Sequence, residues 1–148
     1  MNRTRFAAAL LLALLPFASA PLLAANTQAP TAEELQRLIV RDVQPGSGPG
    51  AAVGNMVDVQ YTGWLYDAYA PDLHGRQFDS SVGREPFSFM LGVGSVIPGW
   101  DRGLLGMKVG GKRTLIIPAN LAYGERGAGR DIPPGSILVF DIELLKMR

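Results

Sequence analysis

The stretch Met56–Gly63, MVDVQYTG, alternates strictly: Val57, Val59 and Tyr61 fall on one side of an extended chain, and Asp58, Gln60 and Thr62 on the other. Strand side chains point to opposite faces with a period of two, so this pattern predicts a half-buried strand. The same period recurs. Pro86–Leu91 (PFSFML) places Phe87, Phe89 and Leu91 together, and Lys112–Pro118 (KRTLIIP) places Leu115 with Ile117. Ser136–Met147 is the longest such run, with Leu138, Phe140, Ile142 and Leu144 opposite Asp141 and Glu143. Leu38–Val43 (LIVRDV) is a β-branched run closed by the turn cluster QPGSGPG, and RQFDSS supplies a short strand around Phe78.

Only one internal segment has helical spacing. Ile97, Trp100, Leu104 and Met107 fall on one face of a helix that Pro98 can open, since a proline loses nothing in the first turn. Gly103 and Gly106 each disfavour that helix by about 1 kcal/mol relative to alanine, so it should be short. The pattern therefore predicts an α+β fold of half-apolar antiparallel strands packed over one short helix. Upstream, Thr31 and Glu34 have the spacing of a capping box, which predicts a brief helix or arm too short to dimerise by itself.

The N-terminus has a different character. Arg3 and Arg5 precede the uncharged run Phe6–Phe17, and Ala18-Ser19-Ala20 follows as a small-residue cleavage pattern. This is the layout of a secretory signal peptide. We assign residues 1–25 to it, with cleavage after Ala20 or, because Pro21 disfavours that cut, near Ala25. Residues 26–37 read as a linker with a short arm, and 38–148 as the functional domain. Pro16 and Pro21 argue against a stable membrane anchor, and the lack of cysteine excludes a lipid anchor on an N-terminal Cys. The expected location is outside the cytoplasm, in the periplasm.

Composition narrows the chemistry. The chain has 148 residues, a formal net charge of +1 and 18% charged residues, so one domain is expected and nucleic acid is not an expected partner. No cysteine and a single histidine leave little for nucleophilic or metal catalysis. There is no G-x-S-x-G elbow, and His74 reads as part of a polar Asp/Pro/Gly loop. Asp67, Asp72 and His74 lie close together without a fourth ligand and read as a solvated loop. GMKVGGK resembles a phosphate loop in spacing only. Arg113 follows where Ser or Thr is needed, and the helix precedes it. GERGAG is a loop that no strand-to-helix unit frames. Asp79 reads by itself as a turn-capping residue, with a pocket edge as the alternative. What remains is aromatic abundance: Tyr61, Phe78, Phe87, Phe89, Trp100, Tyr123 and Phe140 come from six segments. Their convergence would make an apolar ligand pocket, which spacing leaves open.

The motifs VQYTG, QFDSS, PFSFMLG, VIPGWDRGLLGMKVGGKRTLIIP, AYG and LVFDIELL occur in one order and spacing. In these the chain resembles the FKBP-type peptidyl-prolyl cis–trans isomerases, its exported bacterial members most of all, over Leu38–Met147. The resemblance implies a curved antiparallel β-sheet wrapped around one short α-helix. It implies rotation of X-Pro amides in exported proteins, assisting their folding, with a proline-binding or chaperone-like module of little turnover as the alternative. Carried over by motif, the catalytic residues are Tyr61, Asp79, Ile97, Trp100, Tyr123 and Phe140, and the substrate-binding residues are Phe78, Phe87, Phe89 and Val96. Trp100 would floor a prolyl pocket, the Ile97 N–H and Tyr123 hydroxyl would hold substrate carbonyls, and Asp79 would order the rim with Tyr61 and Arg84. No cofactor or metal is implied. The implied partners are proline-containing polypeptides and macrolides such as rapamycin or tacrolimus, and with no long helix to dimerise a monomer is expected. The chain departs from the family pattern in a longer Trp64–Arg76 segment, in one residue fewer between Ser81 and Pro86, and in small residues at Ala128 and Gly129.

Overall fold

The alternating segments form six strands: β1 (Ile39–Gln44), β2 (Met56–Tyr66), β3 (His74–Ser80), β4 (Phe87–Met90), β5 (Lys112–Ile117) and β6 (Leu138–Met147). The computed structural model describes residues 28–148, so the signal segment assigned to residues 1–25 lies outside the described residues. All strand pairs are antiparallel, in the order β1-β5-β6-β2-β3, with β4 joined to β2 beyond the stretch that β3 occupies. The central pair β2–β6 runs in register from Val57 opposite Met147 to Leu65 opposite Leu138, with one slip after Asp58. Among the described residues no helix is long and apolar enough to cross a membrane.

One face of the sheet carries the core. Val57, Val59, Leu115, Ile117, Leu138, Phe140, Ile142 and Leu144 are all buried and form one cluster with Trp100, Leu104 and Met107. The helix that supplies Trp100, α1 (Pro98–Gly103), is only six residues long. Its two glycines explain how it can lie so close to the sheet. A Cβ on Gly99 would stand 2.4 Å from Ile117 Cγ2, and one on Gly103 would stand 2.7 Å from Leu115 Cδ1. The residues that weaken the helix are therefore the ones that let it dock on β5. The C-terminal end of α1 is closed by Arg113 of β5. Its guanidinium donates to the carbonyls of Gly103 (2.8 Å) and Leu105 (3.0 Å) while pairing with Asp42 at 2.7 Å. A cation there also complements the helix dipole.

Two sequence expectations change. The Trp64–Arg76 segment is not a plain loop, since β2 runs on to Tyr66 and β3 begins at His74. His74 is thus a strand residue. Its ring stacks on Trp64 at 3.8 Å, and Nε2 stands 3.5 Å from Asp141 on the face opposite the core. The alternation failed to show this because the β2–β3 register slips between Gly63 and Trp64 and again before Tyr66. The capping box does form: Thr31 N–H donates to the Glu34 carboxylate at 2.8 Å and Glu34 N–H donates to Thr31 Oγ1 at 3.3 Å. It opens only a single 3₁₀ turn, Glu34–Gln36.

Gly99→Ala should destabilise the domain by about 1–3 kcal/mol through overpacking against Ile117, the reverse of the usual gain for alanine in a helix. Leu104→Ala should cost about 2–5 kcal/mol, since Leu104 is buried beside α1. Urea unfolding measures both, and a Gly99→Ala variant at least as stable as the parent would show that the helix can lift off β5 without loss.

Candidate functional site

The buried face of the sheet does not close completely. Where α1, β2, β3, β4 and β6 meet, a cavity of about 220 Å³ remains open to solvent. Trp100 forms its floor and is only 4% exposed, so the residue belongs to core and cavity together. Tyr61 and Phe140 meet the indole edge-to-face, at centroid distances of 5.1 and 5.2 Å and interplanar angles of 79° and 87°. Phe87 approaches in the same manner at 6.1 Å, and Phe78 packs edge-on to Phe140 at 5.5 Å. These are the arrangements that ring quadrupoles favour. Val96 and Ile97 form the wall that leads into α1, and Tyr123 stands at the mouth, 41% exposed.

Phe78 and Asp79 both line the cavity although they are neighbours in a strand. A regular strand would send them to opposite faces. The pairing explains it: Gly63 faces Asp79 but Trp64 faces Gln77, which leaves Phe78 as the extra residue of a β-bulge. Gly63 is needed at the same point. A Cβ there would lie 2.7 Å from both the Phe78 and the Phe140 rings. A glycine inside an alternating strand was the available signal for this close approach, and periodicity passed over it. Ser95, which also lines the cavity, left no signal in the sequence.

Phe89, expected among the substrate-binding residues, does not line the cavity. It is 5% exposed and backs Phe87 at 5.4 Å and Trp100 at 5.6 Å. The register gives the reason: Phe87 faces Val59, next to Tyr61, whereas Phe89 faces Val57, one step further into the core.

The rim is ordered by one carboxylate. Tyr61 donates its hydroxyl to Asp79 Oδ2 at 2.6 Å, Ser80 N–H donates to Oδ1 at 2.8 Å, and the Arg84 guanidinium reaches Oδ1 at 3.1 Å while also donating to the Ser80 carbonyl. Asp79 thus joins β2, β3 and the segment before β4. Burial, the bond to Asp79 and that carboxylate's charge push the Tyr61 hydroxyl up to about 12, against a smaller opposing effect of Arg84. Burial and then the Asp79 charge also raise Tyr123. Both phenols are therefore neutral donors at ordinary pH.

The wall is held from beneath. Asp101 of α1 accepts from the N–H groups of Gly92 and Gly94, each at 2.8 Å, and these glycines sit at φ of +81° and +79°. That left-handed backbone suits glycine and lets one carboxylate hold the segment running into Ser95–Ile97. Asp101 was not singled out from sequence, although a Gly-x-Gly followed by an acid in the next helix was there to be read. At the start of α1, Ile97 accepts from Trp100 and Asp101 through its carbonyl, while nothing among the described residues accepts from its N–H. Trp100 Nε1 is likewise buried without a partner among them.

A second recess, about 260 Å³, lies on the opposite face of the sheet among Thr62, Thr114, Asp141 and Glu143. It has no converging rings. His74 also lies on that face, beside Asp141, so the cavity contains no imidazole. Asp67 accepts from the N–H of Tyr69 at 2.9 Å, and no group of three acidic or histidine side chains among the described residues could hold a metal ion. The cavity can take an apolar ring and donate hydrogen bonds at its rim.

Residues 48–145 match the profile of the FKBP-type peptidyl-prolyl cis–trans isomerases. The chain is 50% identical over 111 residues to an FK506-binding protein of Neisseria meningitidis serogroup A, an alignment covering 74% of this chain and 95% of that protein. A peptidyl-prolyl cis-trans isomerase from Pseudomonas syringae superposes with a TM-score of 0.62 at 40% identity, over 74% of each chain. FkpA from Escherichia coli superposes with a TM-score of 0.67 at 40% identity, over 84% of this chain and 54% of that one.

The hydroxyl of Tyr61 gives a direct test of the rim. The folded chain holds this proton more tightly than the unfolded chain, so its contribution to stability is fully present below about pH 10 and lost as pH rises through about 12. In an ultraviolet difference titration, Tyr61→Phe should remove the last-ionising phenol, and Asp79→Asn should move that phenol to lower pH. An unchanged last step in both variants would show that the Tyr61–Asp79 bond does not form in solution.

Proposed function

This chain belongs to the FKBP-type peptidyl-prolyl cis–trans isomerases, enzymes that rotate X-Pro amides, and on that premise we propose that the Trp100 cavity is where it does so. The observation that carries the assignment is the edge-to-face packing of Tyr61, Phe87 and Phe140 around a nearly buried indole. It makes an aromatic-walled recess beside the Ile97 N–H, which has no acceptor among the described residues.

Rotation about an amide faces a barrier of about 18–20 kcal/mol because the planar bond has partial double-bond character. Twisting removes that resonance, so the carbonyl carries less negative charge in the transition state than in the planar ground state. A cavity that strips water from the planar amide disfavours it more than the twisted form, which lowers the barrier without proton transfer or a covalent step. In this reading Trp100 floors the prolyl ring and Phe78, Phe87 and Phe140 wall it. The Ile97 N–H donates to one substrate carbonyl and the Tyr123 hydroxyl to another, and both hold the chain on either side of the turning bond. Asp79, fixed by Tyr61 and Arg84, keeps the rim open to the right depth. Macrolides such as rapamycin would fill the same recess with a ring of similar shape.

The N-terminal pattern of Arg3, Arg5 and the uncharged run after them supports export, and we place the mature enzyme in the periplasm, acting on proline-containing polypeptides as they fold.

The chain should accelerate isomerisation of an Xaa-Pro peptide in a protease-coupled assay, and rapamycin should abolish the acceleration. Binding of rapamycin without acceleration would turn the reading towards a proline-binding module, and neither effect would remove the cavity from consideration. Tyr123→Phe should lower kcat/KM by roughly three- to tenfold, the worth of one hydrogen bond, with no loss of stability. For export, N-terminal sequencing of the periplasmic fraction should find a chain beginning after Ala20 or near Ala25, and a chain beginning at Met1 in the membrane fraction would replace export with anchoring.

A further inference from the structure

One edge of the sheet beside the cavity is open. Among the described residues β4 pairs with β2 alone. Leu91 N–H donates to the Asn55 carbonyl at 2.9 Å. In an antiparallel ladder alternate residues face the partner strand, so Phe87 and Phe89 share the orientation of Leu91 and turn their main-chain groups to β2. Ser88 and Met90 turn theirs away from β2, the one strand that β4 pairs with among the described residues. Short edges are usually guarded by charge or proline. Here Arg84, Glu85 and Pro86 guard only the approach, while within β4 itself the exposed side chains include Phe87 (41%) and Met90 (40%).

This edge is continuous with the cavity. Phe87 is both the first residue of β4 and a wall of the cavity. A furrow of about 310 Å³ runs past Ser81, Arg84, Glu85 and Pro86; it shares Tyr61 and Phe87 with the cavity, and Phe87 and Ser88 with β4.

We propose that the substrate polypeptide, with its proline in the cavity, leaves past Phe87 and adds to the free edge of β4 as an extra strand; this rests on the assignment of the cavity to the prolyl ring. An extended chain is the occupant whose main-chain groups repeat at the spacing of Ser88 and Met90, every second residue along the strand. Such pairing reads backbone rather than side chains, so it tolerates many sequences around the proline. Phe87 and Met90 add apolar contact and favour apolar substrate residues there.

The test uses the unmodified chain and synthetic peptides. A blocked tetrapeptide containing one proline is compared with peptides extended by four residues on its N-terminal or its C-terminal side. In one of the two series kcat/KM should rise roughly tenfold, mostly through KM. N-methylating either of two amides spaced two residues apart in the extension should cancel that gain, and methylating the amide between them should leave it. A chain that turns over the tetrapeptide with no gain from either extension, or with losses that do not alternate, overturns the edge proposal alone. A chain that does not turn over the tetrapeptide overturns the cavity assignment and the edge with it. Sedimentation of the free chain completes the test: a dimer at assay concentration that long peptides fail to dissociate would assign the edge to a second copy instead.

Discussion

Everything in this molecule depends on how Trp100 is packed. Its indole lies between Tyr61 and Phe140 at nearly equal distances, with both rings edge-on to it. On one side it is core, in contact with the cluster that holds the sheet to α1. On the other it is the floor of a cavity. A single side chain therefore couples the stability of the domain to the shape of its binding site. Packing at crystal-like density fixes the depth of such a cavity far better than a flexible loop could.

The short helix is best understood as the holder of that indole. Pro98 starts it, Gly99 and Gly103 let it press against Ile117 and Leu115, and Arg113 closes its far end. Asp101, next to Trp100, holds Gly92 and Gly94 and so fixes the segment that becomes the cavity wall. Floor and wall are thus set by adjacent residues of one turn. The helix has almost no intrinsic stability at this length, and it persists because its tertiary contacts hold it.

Much of the fold was legible because the core face keeps strict period two in β2, β4 and β6, and Val57, Val59, Phe140 and Ile142 sit inside as the alternation requires. The stripe of Ile97, Trp100, Leu104 and Met107 likewise marked the helix, though it outran it. Leu104 and Met107 are buried beyond the last helical residue, Gly103. The site was legible only through motif resemblance. Its geometry turns on a bulge that brings Phe78 and Asp79 to one face, on Gly63 making room for two rings, and on Asp101 bonding to backbone nine and seven residues earlier. The first two are pairings between distant segments, the third spans nine residues at most, and no local period encodes any of them. Phe89 shows the same limit from the other side, since alternation equates it with Phe87 while register separates them.

A site proposed to work by desolvation, with its carboxylate Asp79 bonded at the rim, places unusual demands on its surroundings. Where a histidine or a metal does the chemistry, an ångström of slack in an apolar wall can be tolerated. Where desolvation does it, water that leaks into the cavity restores the planar amide's advantage directly. This explains why so much of the polar structure here serves rigidity rather than reaction. Asp79 is bound by a phenol, a backbone N–H and a guanidinium, and none of the three can move away without giving up its bond to that carboxylate. The raised Tyr61 keeps its proton, so its hydroxyl stays a donor towards Asp79 at ordinary pH. The rim is thereby held by charge and hydrogen bonds at its exposed edge, where apolar packing is too thin to hold it. The floor is held by packing, where charge would be too costly to bury. The two kinds of force divide at Tyr61, whose ring faces Trp100 and whose hydroxyl faces Asp79.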